Sequence, residues 1–219
     1  MTGRAWAPLL CATAIMAVGC TQIVGGDAVR TVRAIDEDSR SPVDVDTVLL
    51  ESAQMQAVTG AGRDLTAIPG TESKVPVDVP VDMALPRMAK DLPPQCGWVF
   101  AETQVFGSEV EEFRKTSYQN PPRGGLISQA AAGYRDAATA QRAFAAIVEQ
   151  IEGCGTTDSG AAMVGMVTTT PDSVQTRPGN CGRDYRVKSV VLVEVTFCAF
   201  PDSVPEIVMT NILANVPDR

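Results

Sequence analysis

The sequence predicts an α+β domain: a central, mainly antiparallel sheet with packed helices, braced by two disulfides. Three observations carry this. An amphipathic helix is written over 136–151, two apolar strand-like runs at 181–187 and 190–200 are joined by a tight turn, and Cys96, Cys154, Cys181 and Cys198 form an even set downstream of Cys20. Strand runs joined by hairpin-like turns, with helices interspersed, pack as one sheet covered by helices.

The N-terminal segment sets the compartment. Arg4 is the only charge before Cys20, and the chain from Ala5 to Val18 is apolar, which fits the n- and h-regions of a signal peptide over residues 1–19. The run is too short to span a bilayer, which needs about 20 apolar residues. Ala17-Val18-Gly19-Cys20 resembles the lipobox of a bacterial lipoprotein, although position 17 there usually carries Leu or another branched residue. In a lipobox the cysteine sulfur is acylated, the peptide is cut before it and the new amine is acylated too. The expected mature chain begins at Cys20 and is held to the extracytoplasmic face of the cell membrane by lipid alone, since two acyl chains already suffice for stable anchoring. The plainer reading is a secretory signal with small residues at its cleavage site.

Residues 20–43 lack apolar periodicity and carry Gly25-Gly26, a charged run at 36–40 and Pro42, so they read as a disordered tether before a domain at 44–219. Leu49-Leu50 leads into a short helix to Val58, with Ser52 as N-cap and Gly60 as stop. Residues 64–94 hold Pro69, Pro76, Pro80, Pro86, Pro93 and Pro94, which excludes a helix and any central strand and leaves an extended connector. Residues 97–107 read as a short helix. Val110 to Tyr118 reads as an edge strand or cleft wall, with Glu112, Arg114, Thr116 and Tyr118 on one face, and Leu126 to Tyr134 returns antiparallel after the turn QNPPRGG.

The helix that follows is the clearest element. Asp136 caps it, Ala140, Phe144, Ile147, Val148 and Ile151 form its apolar stripe, and Gly153 ends it. Ala161 to Thr170 reads as a strand, and Pro178-Gly179-Asn180 as a turn. Cys181 to Val187 and Val190 to Phe200 form a hairpin whose second run is apolar enough for a central strand. Ser203 and Glu206 have capping-box spacing before a closing helix.

Cys11 leaves with the signal and Cys20 is taken by lipid, so four cysteines remain in an oxidising compartment. They allow three pairings. Cys96 with Cys154 and Cys181 with Cys198 is favoured, because the second pair lies on neighbouring strand-like runs. A zinc site is disfavoured: there is no Cys-x-x-Cys and no histidine to complete a mixed set.

Composition removes several function classes. The formal charge is −8 with no basic stripe, which disfavours nucleic acid as a partner. Without histidine there is no Ser-His or Cys-His nucleophile system, and no P-loop or G-x-S-x-G occurs. Only carboxylates such as Glu109, Glu111, Glu112 and Glu194 offer enzymatic chemistry, of glycosidase type. No catalytic residue, metal or cofactor is expected.

The order of these elements resembles a known family. A Leu-Leu lead-in to a short helix, Leu92-Pro93-Pro94-Gln95-Cys96 opening a second, a strand pair, the helix from Asp136 with its cysteine just beyond, and the Cys181 to Cys198 hairpin are similar to the PknH-like extracellular domain. That domain occurs as the sensor region of a mycobacterial receptor Ser/Thr kinase and as the body of many mycobacterial lipoproteins, and the likeness covers roughly 44–217. It implies two disulfides, an antiparallel sheet with helices, and a cleft for an unidentified small ligand. No kinase segment accompanies it. The expected function is a lipid-anchored binding or sensor-like domain, with Arg114, Tyr118 and Tyr134 on the strand pair as cleft residues. The competing expectation is a structural or interaction lipoprotein that presents its Pro-Val segment or sheet edge to envelope proteins.

Overall fold

The most apolar strand stands at the middle of the sheet. The computed structural model describes residues 41–79 and 92–218. The signal peptide, Cys20 and the expected tether as far as residue 40 lie outside the described residues, as do residues 80–91 of the proline-rich segment. Seven strands, β1 (Thr66–Ala67), β2 (Glu112–Asn120), β3 (Gly125–Gly133), β4 (Met166–Thr169), β5 (Ser173–Arg177), β6 (Cys181–Lys188) and β7 (Val191–Cys198), pair in the order β1-β2-β3-β7-β6-β5-β4. Every pairing is antiparallel. The expected α+β class with its antiparallel sheet is therefore the observed one.

Side chains alternate across a strand, and β7 uses this to serve two cores. Val193, Val195 and Phe197 face one core together with Ile127, Met55 of helix α1 (Ser52–Val58) and Met209 of the closing helix α5 (Ser203–Asn215). Leu192 faces the other, shared with Trp98, Phe106, Phe113, Tyr185 and the long helix α3 (Ala137–Gly155). Ser41 and Val43 are already buried, and Val43 belongs to the first core, so ordered packing includes residues that the expected tether of 20–43 contains.

Helix α3 is capped as its sequence dictates: Asp136 accepts from the Thr139 amide at 2.7 Å. Its buried stripe is Ala140, Phe144, Ile147, Ile151 and Cys154. The helix does not stop at Gly153. Cys154 is the next inward position on the stripe, and its bond to Cys96 holds the last turn against the 3-10 segment Pro94–Phe100.

Other boundaries also moved for local reasons. Glu51, not Ser52, caps α1, through a reciprocal box in which the Glu51 amide donates to Gln54 at 2.8 Å. The helix expected over 97–107 divides into that 3-10 segment and helix α2 (Glu102–Phe106), which ends at Gly107 with φ 74°. The strand expected over 161–170 is in its first half helix α4 (Asp158–Val164), capped by Thr157, which accepts from Gly160 at 3.0 Å. Strand β5 fills a stretch that carried no expectation. Ser203 is the first residue of α5 and makes no cap, because Glu206 turns instead to Arg186.

Cys96–Cys154 and Cys181–Cys198 are the disulfides, with Cα separations of 4.8 and 4.0 Å. Cys181 and Cys198 are direct register partners on β6 and β7. Among the described residues no helix is long and apolar enough to cross a membrane.

Candidate functional site

Register places the polar groups of one sheet face in two rows. Lys115, Ala130, Glu194 and Tyr185 follow one another across β2, β3, β7 and β6, and Ser117, Ser128, Thr196 and Arg183 form the next row. With about 4.8 Å between strands, Lys115 and Glu194 stand roughly 10 Å apart along the row. The extended residues Val77 and Val79, the 3-10 segment and α2 lie over this face. Between them is a cleft of about 250 Å³ with an apolar side from Val77, Val79, Trp98, Val99, Phe100 and Val105. Its polar side is Glu102, Lys115, Ser128, Arg183, Glu194 and Thr196.

Glu194 is the centre of the polar side. Its side chain is only 5% exposed, a position that a carboxylate holds only when hydrogen-bonded. Oε1 accepts from the Thr196 hydroxyl at 2.8 Å, the Tyr185 hydroxyl at 3.1 Å and Arg183 Nη1 at 3.4 Å. Burial, and then the Glu194 carboxylate, push the Tyr185 phenol well above its ordinary value, so it stays protonated and donates. Burial works against the Arg183 charge, yet Tyr185 and Glu194 outweigh it and raise the guanidinium further. Arg183 also donates from Nη2 to the Val99 carbonyl at 2.7 Å and lies 5.6 Å from the Trp98 ring centroid. It therefore clamps the 3-10 segment onto the sheet.

A second ion pair completes the cleft. Lys115 Nζ pairs with Glu102 Oε1, while Glu102 Oε2 accepts from the Val77 amide at 2.8 Å. Asp78 accepts from the Thr103 amide at 2.9 Å and the Thr103 hydroxyl at 2.7 Å. The proline-rich segment is thus tied to the first turn of α2, where a carboxylate is favoured. A more open groove of about 430 Å³ near Cys96–Cys154 carries Gln95, Gln104, Glu149 and Gln150, but no charges converge there.

The three residues expected in a cleft are not brought together. Tyr134 is fully buried in the α3 core and donates to the Phe106 carbonyl at 2.7 Å. Tyr118 is buried in the core on the opposite face. Arg114 lies outside the cleft and pairs with Glu72 at 3.0 Å and with Asp46 at 3.6 Å. Both tyrosines are packing residues: Tyr118 on β2 and Tyr134 just beyond the end of β3 each point into a covered core. The carboxylate candidates separate as well: only Glu194 lines the cleft. Glu112 accepts from the Val45 amide at 3.2 Å, and Glu109 bridges Arg135 and Arg142. Among the described residues no group of three or more metal-ligating side chains occurs.

Lys115, Glu102, Arg183 and Trp98 carried no functional expectation. A signal for part of the set was present. Once Cys181 faces Cys198, counting inward sets Tyr185 opposite Glu194 and Arg183 opposite Thr196, and a carboxylate inside VVLVEVTF needs such partners.

No curated protein sequence matches the chain. The crystal structure of the extracellular domain of PknH from Mycobacterium tuberculosis superposes with a TM-score of 0.54 at 15% identity, over 80% of this chain and 98% of that one. At that identity the likeness speaks for the fold. The sequence pattern of the PknH-like extracellular domain matches residues 41–214, from Ser41 into the last turn of α5, and the chain belongs to that family.

Proposed function

We propose that this chain is a lipid-anchored, extracytoplasmic sensor-type domain that holds a small ligand in the cleft between Lys115 and Glu194. One observation carries the reading: a preformed cleft in which an apolar side faces convergent, mutually paired charges from the sheet and α2. Family membership supports the extracellular placement, and the lipobox-like Ala17-Val18-Gly19-Cys20 supports the anchor. No catalytic step is assigned to these groups.

The test is native mass spectrometry of the protein released from the envelope of its own host. A reproducible adduct, lost when Glu194 is replaced by Gln, is the expected result, and a bare protein mass in every preparation would count against ligand binding. The anchor is tested separately by whole-protein mass. Cys20→Ser should remove the lipid increment; an unchanged mass refutes the anchor.

A second reading is an envelope interaction protein without a ligand. It is favoured by the exposed Val75 at 63% and by Met166 at 70% on the edge strand β4. Crosslinking from these two positions to envelope proteins, with no adduct in the cleft, would select it.

A further inference from the structure

We infer that the cleft is built for a neutral, polyhydroxylated molecule of about one ring, a sugar or a cyclitol; this rests on the reading that the cleft binds a ligand at all. The charges make the first argument. Lys115 is committed to Glu102 and Arg183 to Glu194. An ionic ligand would have to break one of these pairs or leave an uncompensated charge in a largely desolvated site, and both are costly.

The hydrogen-bonding capacity left over makes the second. Three donors converge on Oε1 of Glu194, and no donor among the described residues reaches Oε2. The Ser128 hydroxyl lines the cleft and has no side-chain partner among the described residues. Lys115 brings three N–H donors and gives one contact to Glu102. An anionic acceptor, a donor and a hydroxyl that does either are therefore spread over neighbouring strands. Vicinal hydroxyls match this set, donating to Glu194 Oε2 while accepting from Lys115 and Ser128. The apolar side, with Val77, Val79, Trp98 and Phe100, suits the C–H face of the same ring. The cleft of about 250 Å³ also lies below the ~300–1,000 Å³ usual for drug-sized ligands, which favours a single ring over a chain of them.

Trp98 supplies the readout. The chain has two tryptophans, Trp6 and Trp98, and Trp6 lies in the expected signal peptide, so in the lipid-anchored protein beginning at Cys20, held in a sugar-free detergent, Trp98 is the sole indole fluorophore; Trp6→Phe removes any signal from uncleaved chain. The probes are D-glucose, D-galactose and myo-inositol, set against L-glutamate, L-arginine and inorganic phosphate. A saturable change with at least one neutral polyol is expected, weakened about fivefold to tenfold by Ser128→Ala, as befits one lost hydrogen bond. Glu194→Gln should weaken it further, and because that variant disturbs a buried network, Ser128→Ala is the safer control for folding. Saturation by an ionic probe alone, lost in the same variants, would overturn the polyol class while leaving the cleft a binding site. Polyol binding indifferent to both substitutions would place the site elsewhere and overturn the inference. Silence toward every probe also overturns it, and the co-purification experiment then decides separately whether the cleft binds anything.

Discussion

Tyr185 and Glu194 face each other across β6 and β7, and the phenolic hydroxyl donates to Oε1 at 3.1 Å. Glu194 lines the cleft and Tyr185 lies in the core behind it, and the pair's loss should be graded by what is left unpaired. Tyr185→Phe removes one donor to a buried charge and is expected to cost about 1.5 kcal/mol. Glu194→Leu leaves Arg183 without its carboxylate and should cost about 3 kcal/mol. Urea unfolding of both variants checks the order; equal losses would show that the carboxylate is not the hub.

Alkaline pH should unfold the protein through buried phenols. Burial, and then Glu109, raise Tyr134 above its ordinary value; burial, and then Glu194, raise Tyr185. A folded-state pKa above the unfolded one gives a contribution that is complete below about pH 10 and falls as pH rises toward the folded value. Each of the two should remove about 1.4 kcal/mol per pH unit in that window. Absorbance at the phenolate band should rise for both only together with loss of structure. Titration of all tyrosines in the intact fold would contradict this.

The two disulfides should differ in weight. Cys96–Cys154 closes 58 residues and Cys181–Cys198 closes 17, so the chain-entropy model gives about 4 and about 3 kcal/mol. Double Cys→Ser variants of each pair, compared by denaturant midpoint, test the ranking. By loop entropy the first pair should be the more damaging loss.

Gly165 should tolerate no side chain. Its φ is +60°, and an added Cβ would lie 2.1 Å from the Arg177 carbonyl oxygen. Gly165→Ala should destabilise by about 2 kcal/mol or more, because backbone must move where α4 gives way to β4. Thermal unfolding decides it, and a change within experimental error would mean that this junction yields freely.

Asp78→Ala should act locally. It removes both bonds to Thr103 that, beside the Val77 amide's bond to Glu102 and the Val79 amide's bond to the Phe100 carbonyl, hold this stretch at the cleft. Global stability should change by no more than about 1 kcal/mol, as for other exposed contacts. Amide exchange at Val77 and Val79 should accelerate. Unchanged exchange there would mean that the Glu102 and Phe100 bonds hold the segment without Asp78.

What was legible in the sequence follows physical signal strength. Helix α3 announced itself through a buried stripe and an Asp cap, and β7 through an apolar run that only a sheet centre accommodates. Strand β5 was not legible: Val174 and Thr176 are its only buried positions, too few to show alternation between two turns. The residues of α4 suit a helix or a strand, and the decision lay in Thr157 and Gly165, a cap and a stop of modest strength. Tyr118 lies on β2 as expected and Tyr134 directly follows β3, but which face is covered depends on helices remote in sequence. Asp78 reaches Thr103 across 25 positions, a distance at which no local pattern informs.

The partition made by β7 has a mechanical consequence. Glu194 projects toward the cleft while its neighbours Val193 and Val195 are embedded on the far side against the α1 and α5 layer. A molecule that tugs on Glu194 therefore loads a strand whose other surface is rooted beneath two helices. Inside and outside of the cleft share one wall, so β7 has no slack at Glu194 that is independent of the core behind it.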